Sequence, residues 1–178
     1  KILPYFMRNY YKFSIPVSFA LIYLSFLIVS TDYIGPQKDI SSCESDKNIE
    51  VIAFKNNHGD FKNSFGFLFI TDDKRILFSG DTAVSANLKK YGNDLDILVH
   101  EVFSSETFVN KTKDWQIYHQ AHHTSSIDLG IIADELQPKK LVMSHILFWG
   151  ASEESILKDI RVNFSGQAII AKDLMVVK

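Results

Sequence analysis

Two short runs, DILVHE (96–101) and KLVMSH (140–145), are apolar at nearly every position and lack the alternation of a strand with one wet face. Such runs suit strands buried on both faces, so the fold must cover a sheet on two sides. The stretch before them reads differently. IEVIAF (49–54) alternates, and SFGFLFIT (64–71) and KRILFSG (74–80) flank the turn residues Asp72 and Asp73 as a hairpin. Three helices are expected: SANLKKYG (85–92), ended by Gly92; SSIDLGIIADEL (125–136), capped by Ser125 or Ser126 and stopped by Pro138; and SEESILKDIRVNF (152–164), capped by Ser152 with Glu153 and Glu154 in its first turn. In the second of these, Ile127, Ile131, Ile132 and Leu136 fall near one face. QAIIA and LMVV are expected to close the chain as short strands. Hairpins followed by strands alternating with helices predict a layered α/β domain.

A chain of 178 residues is about one domain, long enough to bury a core, and no internal repeat is visible. A formal net charge of −2 gives no electrostatic case for nucleic acid, which usually calls for a clustered basic excess. Nucleic acid stays admissible as a partner without being indicated by charge. The single cysteine, Cys43, excludes an internal disulfide and leaves the redox compartment open. Residues 13–30, FSIPVSFALIYLSFLIVS, carry no charge and follow Lys1, Arg8 and Lys12. They read as a signal or membrane anchor, or, in the reading favoured because Pro16 and the polar positions weaken a spanning helix, as a buried segment of the fold or a disordered leftover. A first residue of Lys rather than Met is what a processed or truncated product would show. The compartment follows the segment: membrane-associated or secreted if it anchors or directs, cytoplasmic otherwise. Polar residues around Gly35-Pro36 read as a linker, so the expected division is 1–48 for the apolar segment and linker and 49–178 for the domain.

Four polar residues fall at the ends of these elements: His58 after the first strand, Asp81 after ILFSG, His123 before a helix, and His145 at the end of KLVMS. Loops at strand ends are where a rigid scaffold holds binding groups. Imidazole nitrogen and carboxylate oxygen suit zinc, iron or manganese. Each residue also has a plain structural reading: His58 in a turn, Asp81 as a helix cap, His145 as a core histidine. All the histidines being structural in an ordinary α/β domain is the weakest of the readings. Glu101, beside His100, either orients a neighbouring imidazole or accepts backbone donors. His100, His119 and His122 read as supporting, and Phe148 and Trp149 as packing.

In order, NNHGD, FGFLF, RILFSGDT, DILVHEVFSS, HHTSSIDLG, KLVMSHILFWG and AKDLMVV resemble the C-terminal half of a metallo-β-lactamase-fold hydrolase of the ribonuclease Z-like branch, over about residues 49–178. The resemblance implies half of an αββα sandwich. It implies a two-metal site, zinc in the first place, with His58 a ligand of one metal, Asp81 bridging and His145 a ligand of the other. It also implies phosphodiester hydrolysis by a metal-bound hydroxide, with His123 giving a proton to the leaving group. A small-molecule or phosphodiester substrate and a second copy of the chain are the partners it implies, with a membrane added if 13–30 is an anchor. The family's N-terminal HxHxDH string does not occur, and the first histidine is His58. The expectation therefore divides between a piece of a metallo-hydrolase and a degenerate, non-catalytic module that is membrane-tethered or binds a partner.

Overall fold

A computed structural model describes residues 44–45 and 48–177 of the chain. The segment 13–30 and Cys43 lie outside the described residues. Pro36–Ile170 forms one compact unit, and the tail from Ala171 belongs to a second.

The large unit is built on one sheet of seven strands that lie side by side in chain order. The strands are β1 (Glu44–Ser45), β2 (Glu50–Lys55), β3 (Phe65–Ile70), β4 (Arg75–Phe78), β5 (Ile97–Phe103), β6 (Lys140–Leu147) and β7 (Gln167–Ile170). From β1 to β4 neighbours are antiparallel, and from β4 to β7 they are parallel. The change follows from the connections. Thr71 and Lys74 close a tight turn between β3 and β4, with the Thr71 N–H donating to Lys74 O at 2.9 Å, and a turn that short reverses the chain. Later connections contain α1 (Ala86–Tyr91), then α2 (Ser105–Phe108), α3 (Lys113–His122) and α4 (Ser126–Leu136), then α5 (Glu153–Arg161), and such crossovers return the chain parallel.

β5 and β6 are buried on both faces, as their continuous apolar runs require. Leu98, Leu141 and Met143 pack into the main core with Leu88 of α1, Leu129 and Ile132 of α4, and Ile156 and Ile160 of α5. Their neighbours Val99 and Val142, which point to the other face, are buried too. Each fully buried Leu of this set contributes about 1.5–3 kcal/mol against leaving it exposed.

Two expectations need correction. Of the face expected on α4, Ile132 is buried and Leu136 packs against the core, but Ile127 and Ile131 are 46% and 43% exposed; Ser126, Leu129, Gly130 and Ala133 are buried instead. The reason is close approach to α5. A Cβ on Gly130 would come within 3.0 Å of Ile160 O, so the contact selects the small residues, and Ser126 Oγ donates to Asp159 Oδ2 at 2.6 Å across it. Nor is LMVV (174–177) a continuous strand, since only Val176 in it makes a β-bridge. Asp173 and Leu174 form a turn, with Leu174 at φ 63° and 79% exposed.

Candidate metal centre

Asp81 reaches its place through a glycine. β4 ends at Phe78, and Gly80 then takes φ 61°, a left-handed conformation that a Cβ would oppose by meeting Phe65 O at 2.6 Å. Asn56 Nδ2 donates to Ser79 O, and Ser64 Oγ donates to Asp81 O at 3.0 Å. These bonds fix the backbone on both sides of Gly80 and leave the Asp81 carboxylate partly exposed.

His145 arrives by a different device. β6 runs on to Leu147, two residues past the expected strand end. The ladder passes from the pair Glu101 and Ser144 to the pair Val102 and Ile146, so His145 is an extra, bulged residue with φ 45°. A bulge re-aims a side chain, and here it brings His145 Nε2 to 3.4 Å from Asp81 Oδ2. A left-handed non-glycine residue costs about 1–2 kcal/mol, and such strain concentrates at functional positions.

His123 caps α3, its N–H donating to His119 O at 2.8 Å. One ring nitrogen of His123, one of His145 and one carboxylate oxygen of Asp81 all lie within 4.8 Å of one another. His58 stands beside this group, its ring centroid 5.2 Å from that of His123. Because His58 Nδ1 lies 2.7 Å from His122 O, which can only accept, Nδ1 carries the proton and Nε2 keeps its lone pair. That is the tautomer a metal ligand needs. The structure therefore brings together all four residues singled out in the sequence. It puts His123, expected as a proton donor, at ligand distance from Asp81 and His145, and His58, expected as a ligand, one ring further out.

Behind His123 lies Glu101, nearly fully buried. Its Oε1 accepts from the backbone N–H of Thr82 (3.1 Å) and of Thr124 (3.0 Å), and stands 3.4 Å from His123 Nδ1, too poorly placed for a hydrogen bond. Oε2 has no partner. Glu101 therefore follows the backbone-donor reading, and the imidazole it stands near, without a hydrogen bond, is that of His123 and not of His100. Burial pushes the Glu101 carboxyl well above its usual range, partly opposed by the Thr82 N–H and reinforced by the charge on Asp81. Burial lowers the pKa of His123 and of His58, with Asp81 pulling the other way. His100, wholly buried with Nδ1 donating to Glu101 O at 2.6 Å, is lowered to about 4 by burial.

Sequence reasoning missed α3, which supplies His123 and the backbone carbonyl that holds His58. Its buried residues are His119 and His122, so the apolar periodicity that marks a helix is missing. Trp149 packs among Phe103, Trp115 and His119, with ring centroids 4.8 to 5.6 Å away, as its packing reading requires.

The residues present fit a divalent metal. Two imidazoles and a carboxylate converge, His58 adds a ring nitrogen with a free lone pair, and buried polar atoms at the rim, Glu101 Oε2 and His123 Nδ1, have no protein partner. Nitrogen and oxygen donors in this mixture suit zinc, iron or manganese.

No family model matches the chain. It is 34% identical over 73 residues to ribonuclease Z of Bacillus subtilis (strain 168), a stretch covering 41% of this chain and 22% of that protein. It is 26% identical over 102 residues to ribonuclease Z of Archaeoglobus fulgidus, covering 57% of this chain and 31% of the relative. The matches thus span less than a third of these curated relatives. Among solved structures, the metallo-beta-lactamase fold protein YhfI from Bacillus subtilis superposes with a TM-score of 0.63 at 19% identity, covering 76% of this chain and 52% of its own. The short form of human tRNase Z gives 0.55 at 20% identity, covering 79% and 46%. Zn(2+)-bound PqqB from Methylobacterium extorquens gives 0.54 at 15% identity, covering 77% and 52%. On these likenesses the chain carries the ribonuclease Z-like, C-terminal portion of a metallo-β-lactamase fold.

Proposed function

We propose that this chain forms part of a metal-dependent hydrolase of the metallo-β-lactamase superfamily that cleaves phosphodiesters. The observation that carries the reading is the meeting of Asp81, His123 and His145 within 4.8 Å at the ends of separate elements. His58, Asp81 and His145 would hold the metal, with Asp81 able to serve two ions through its two oxygens. Zinc is the first candidate, being the metal bound to the structurally similar PqqB. When bound, the metal supplies Lewis acidity, polarising the phosphoryl oxygen and making water a nucleophile near neutral pH.

The protein's own part is positioning and proton transfer. His123 gives a proton to the departing oxygen. Glu101, held by two backbone N–H groups, stands behind the His123 ring. A phosphodiester substrate follows from the ribonuclease Z relatives, and a homo-oligomer belongs to the same proposal, to be read by light scattering. The test is hydrolysis of bis(p-nitrophenyl) phosphate by the zinc-loaded chain. Turnover that disappears in Asp81→Ala supports the reading, and turnover unchanged in that variant contradicts it.

A second reading is a non-catalytic module that is membrane-tethered or binds a partner. It is favoured by the absence of an HxHxDH string from these 178 residues, and metal binding without turnover would distinguish it.

A further inference from the structure

Beside the candidate centre lies a cavity of about 330 Å³, lined by Gly59, Asp60, Asp114, Ile117, Tyr118 and His122, among others. Its volume is at the low end for ligand pockets, which run about 300–1,000 Å³. One wall is a stacked pair, the rings of Tyr118 and His122 being 4.0 Å apart and 21° from parallel. Tyr118 is half exposed, so a face of this stack remains open to a ligand. Phe61, 60% exposed, stands at the rim with its ring 5.9 Å from that of His122.

The polar groups of the lining are nearly all acceptors. Asp60 and Asp114 are carboxylates. His122 Nδ1 lies 2.6 Å from Tyr118 O and donates to it, so the ring contributes its face to the cavity and not this nitrogen. Gly59 packs on the opposite edge of that buried ring: it sits at φ 53°, where a Cβ would lie 2.1 Å from His122 Nε2. No ammonium or guanidinium lines the cavity. Phosphate is therefore repelled, while a flat ring with several N–H donors on one edge is accommodated.

We propose that this cavity binds a guanine base of a single-stranded substrate whose phosphate lies at the candidate centre. Unpaired bases are held by stacking on aromatic side chains and by hydrogen bonds to their exposed edges. Guanine offers the adjacent donors N1–H and N2–H to the carboxylates, whereas uracil offers one N–H between two carbonyls. The position matches: the His122 ring is 5.0 Å from that of His58, which is 5.2 Å from that of His123. The inference rests on the phosphodiester reading and adds to it the identity of the flanking base.

The test is titration of guanosine and of uridine, which carry no phosphate, into the metal-free chain, followed by NMR at the Tyr118 and His122 rings. Guanosine is expected to shift both rings saturably and to bind about tenfold more tightly than uridine, the effect of losing a hydrogen bond to a charged group. Asp114→Asn should weaken guanosine severalfold, and Tyr118→Ala should abolish the His122 shift with the rest of the spectrum in place. Equal binding of uridine, or guanosine binding untouched by both substitutions, overturns the inference. So does choline shifting the rings where guanosine does not, because carboxylates beside an aromatic ring also suit a cation. Bis(p-nitrophenyl) phosphate separates the two proposals, since it carries no base. Turnover without a guanosine shift sinks only the base site, and a guanosine shift without turnover sinks only the hydrolase.

Discussion

The ends of β4 and β6 deliver Asp81 and His145 to the same point by opposite means. At β4 the left-handed turn falls on Gly80, before the proposed ligand, so Asp81 itself takes no left-handed turn. At β6 the proposed ligand carries the turn: His145 is the bulged residue with φ 45°. Where glycine precedes the functional residue, presentation costs little and leaves a mark in the sequence. Where the functional residue is itself bent, the position is held by its neighbours. Met143 on one side and Ile146 and Leu147 on the other stay paired with β5, and the pairing over-determines the bulge.

The largest consequence of the comparison concerns metal. Asp81→Ala removes the one carboxylate in the group and should weaken zinc binding by at least about 100-fold, as measured by competition with a fluorescent chelator; even outer-sphere partners of metals cost about 10–100-fold. An unchanged affinity would mean that the two strand ends do not serve a common ion. Next is Gly80→Ala, which adds a Cβ 2.6 Å from Phe65 O at φ 61°. It should cost about 3 kcal/mol in urea unfolding, and a cost near zero would show that the glycine is not what turns the chain.

A pH effect of intermediate size arises from β5, which lies between the two ends. His100 titrates near 4 in the folded chain against about 6.5 unfolded. The unfolded state therefore binds the proton first, and stability present above about pH 6.5 is lost as the pH falls towards 4, by about 2 kcal/mol at pH 5. His100→Phe should flatten that decline. Glu101 acts in the opposite sense, since its raised pKa withdraws stability as the pH rises above the ordinary carboxylate range. The smallest effect isolates the bend at β6. His145→Gly should be more stable than His145→Ala by about 1 kcal/mol, because only glycine takes a positive φ freely. At an ordinary strand position the order would reverse.

Much of this architecture is legible in the sequence, and the gaps have physical causes. The runs DILVHE and KLVMSH, the Asp72-Asp73 turn, the stop at Gly92 and the caps Ser125 and Ser152 each signal an element through local chemistry, and each element forms there. SGDT likewise marks Asp81, because only a glycine explains the turn. The bulge at His145 leaves no such mark, since it exists only in the pairing of β6 with β5. α3 is silent for another reason: it buries histidines, and a helix that packs imidazoles around a site has no aliphatic stripe to read. The two misplaced positions of α4 come from the same blindness to tertiary contact. Ile127 and Ile131 are the more hydrophobic positions, but α5 comes close enough that Gly130 and Ala133 must face inward.

The central claim is that Asp81, with His58 and His145, holds a metal ion beside His123. Elemental analysis of the purified chain after dialysis against a weak chelator, alongside Asp81→Ala, tests it most directly. Zinc, iron or manganese retained by the parent and lost from the variant is the predicted result. A parent chain without metal, or equal metal in both, would contradict it.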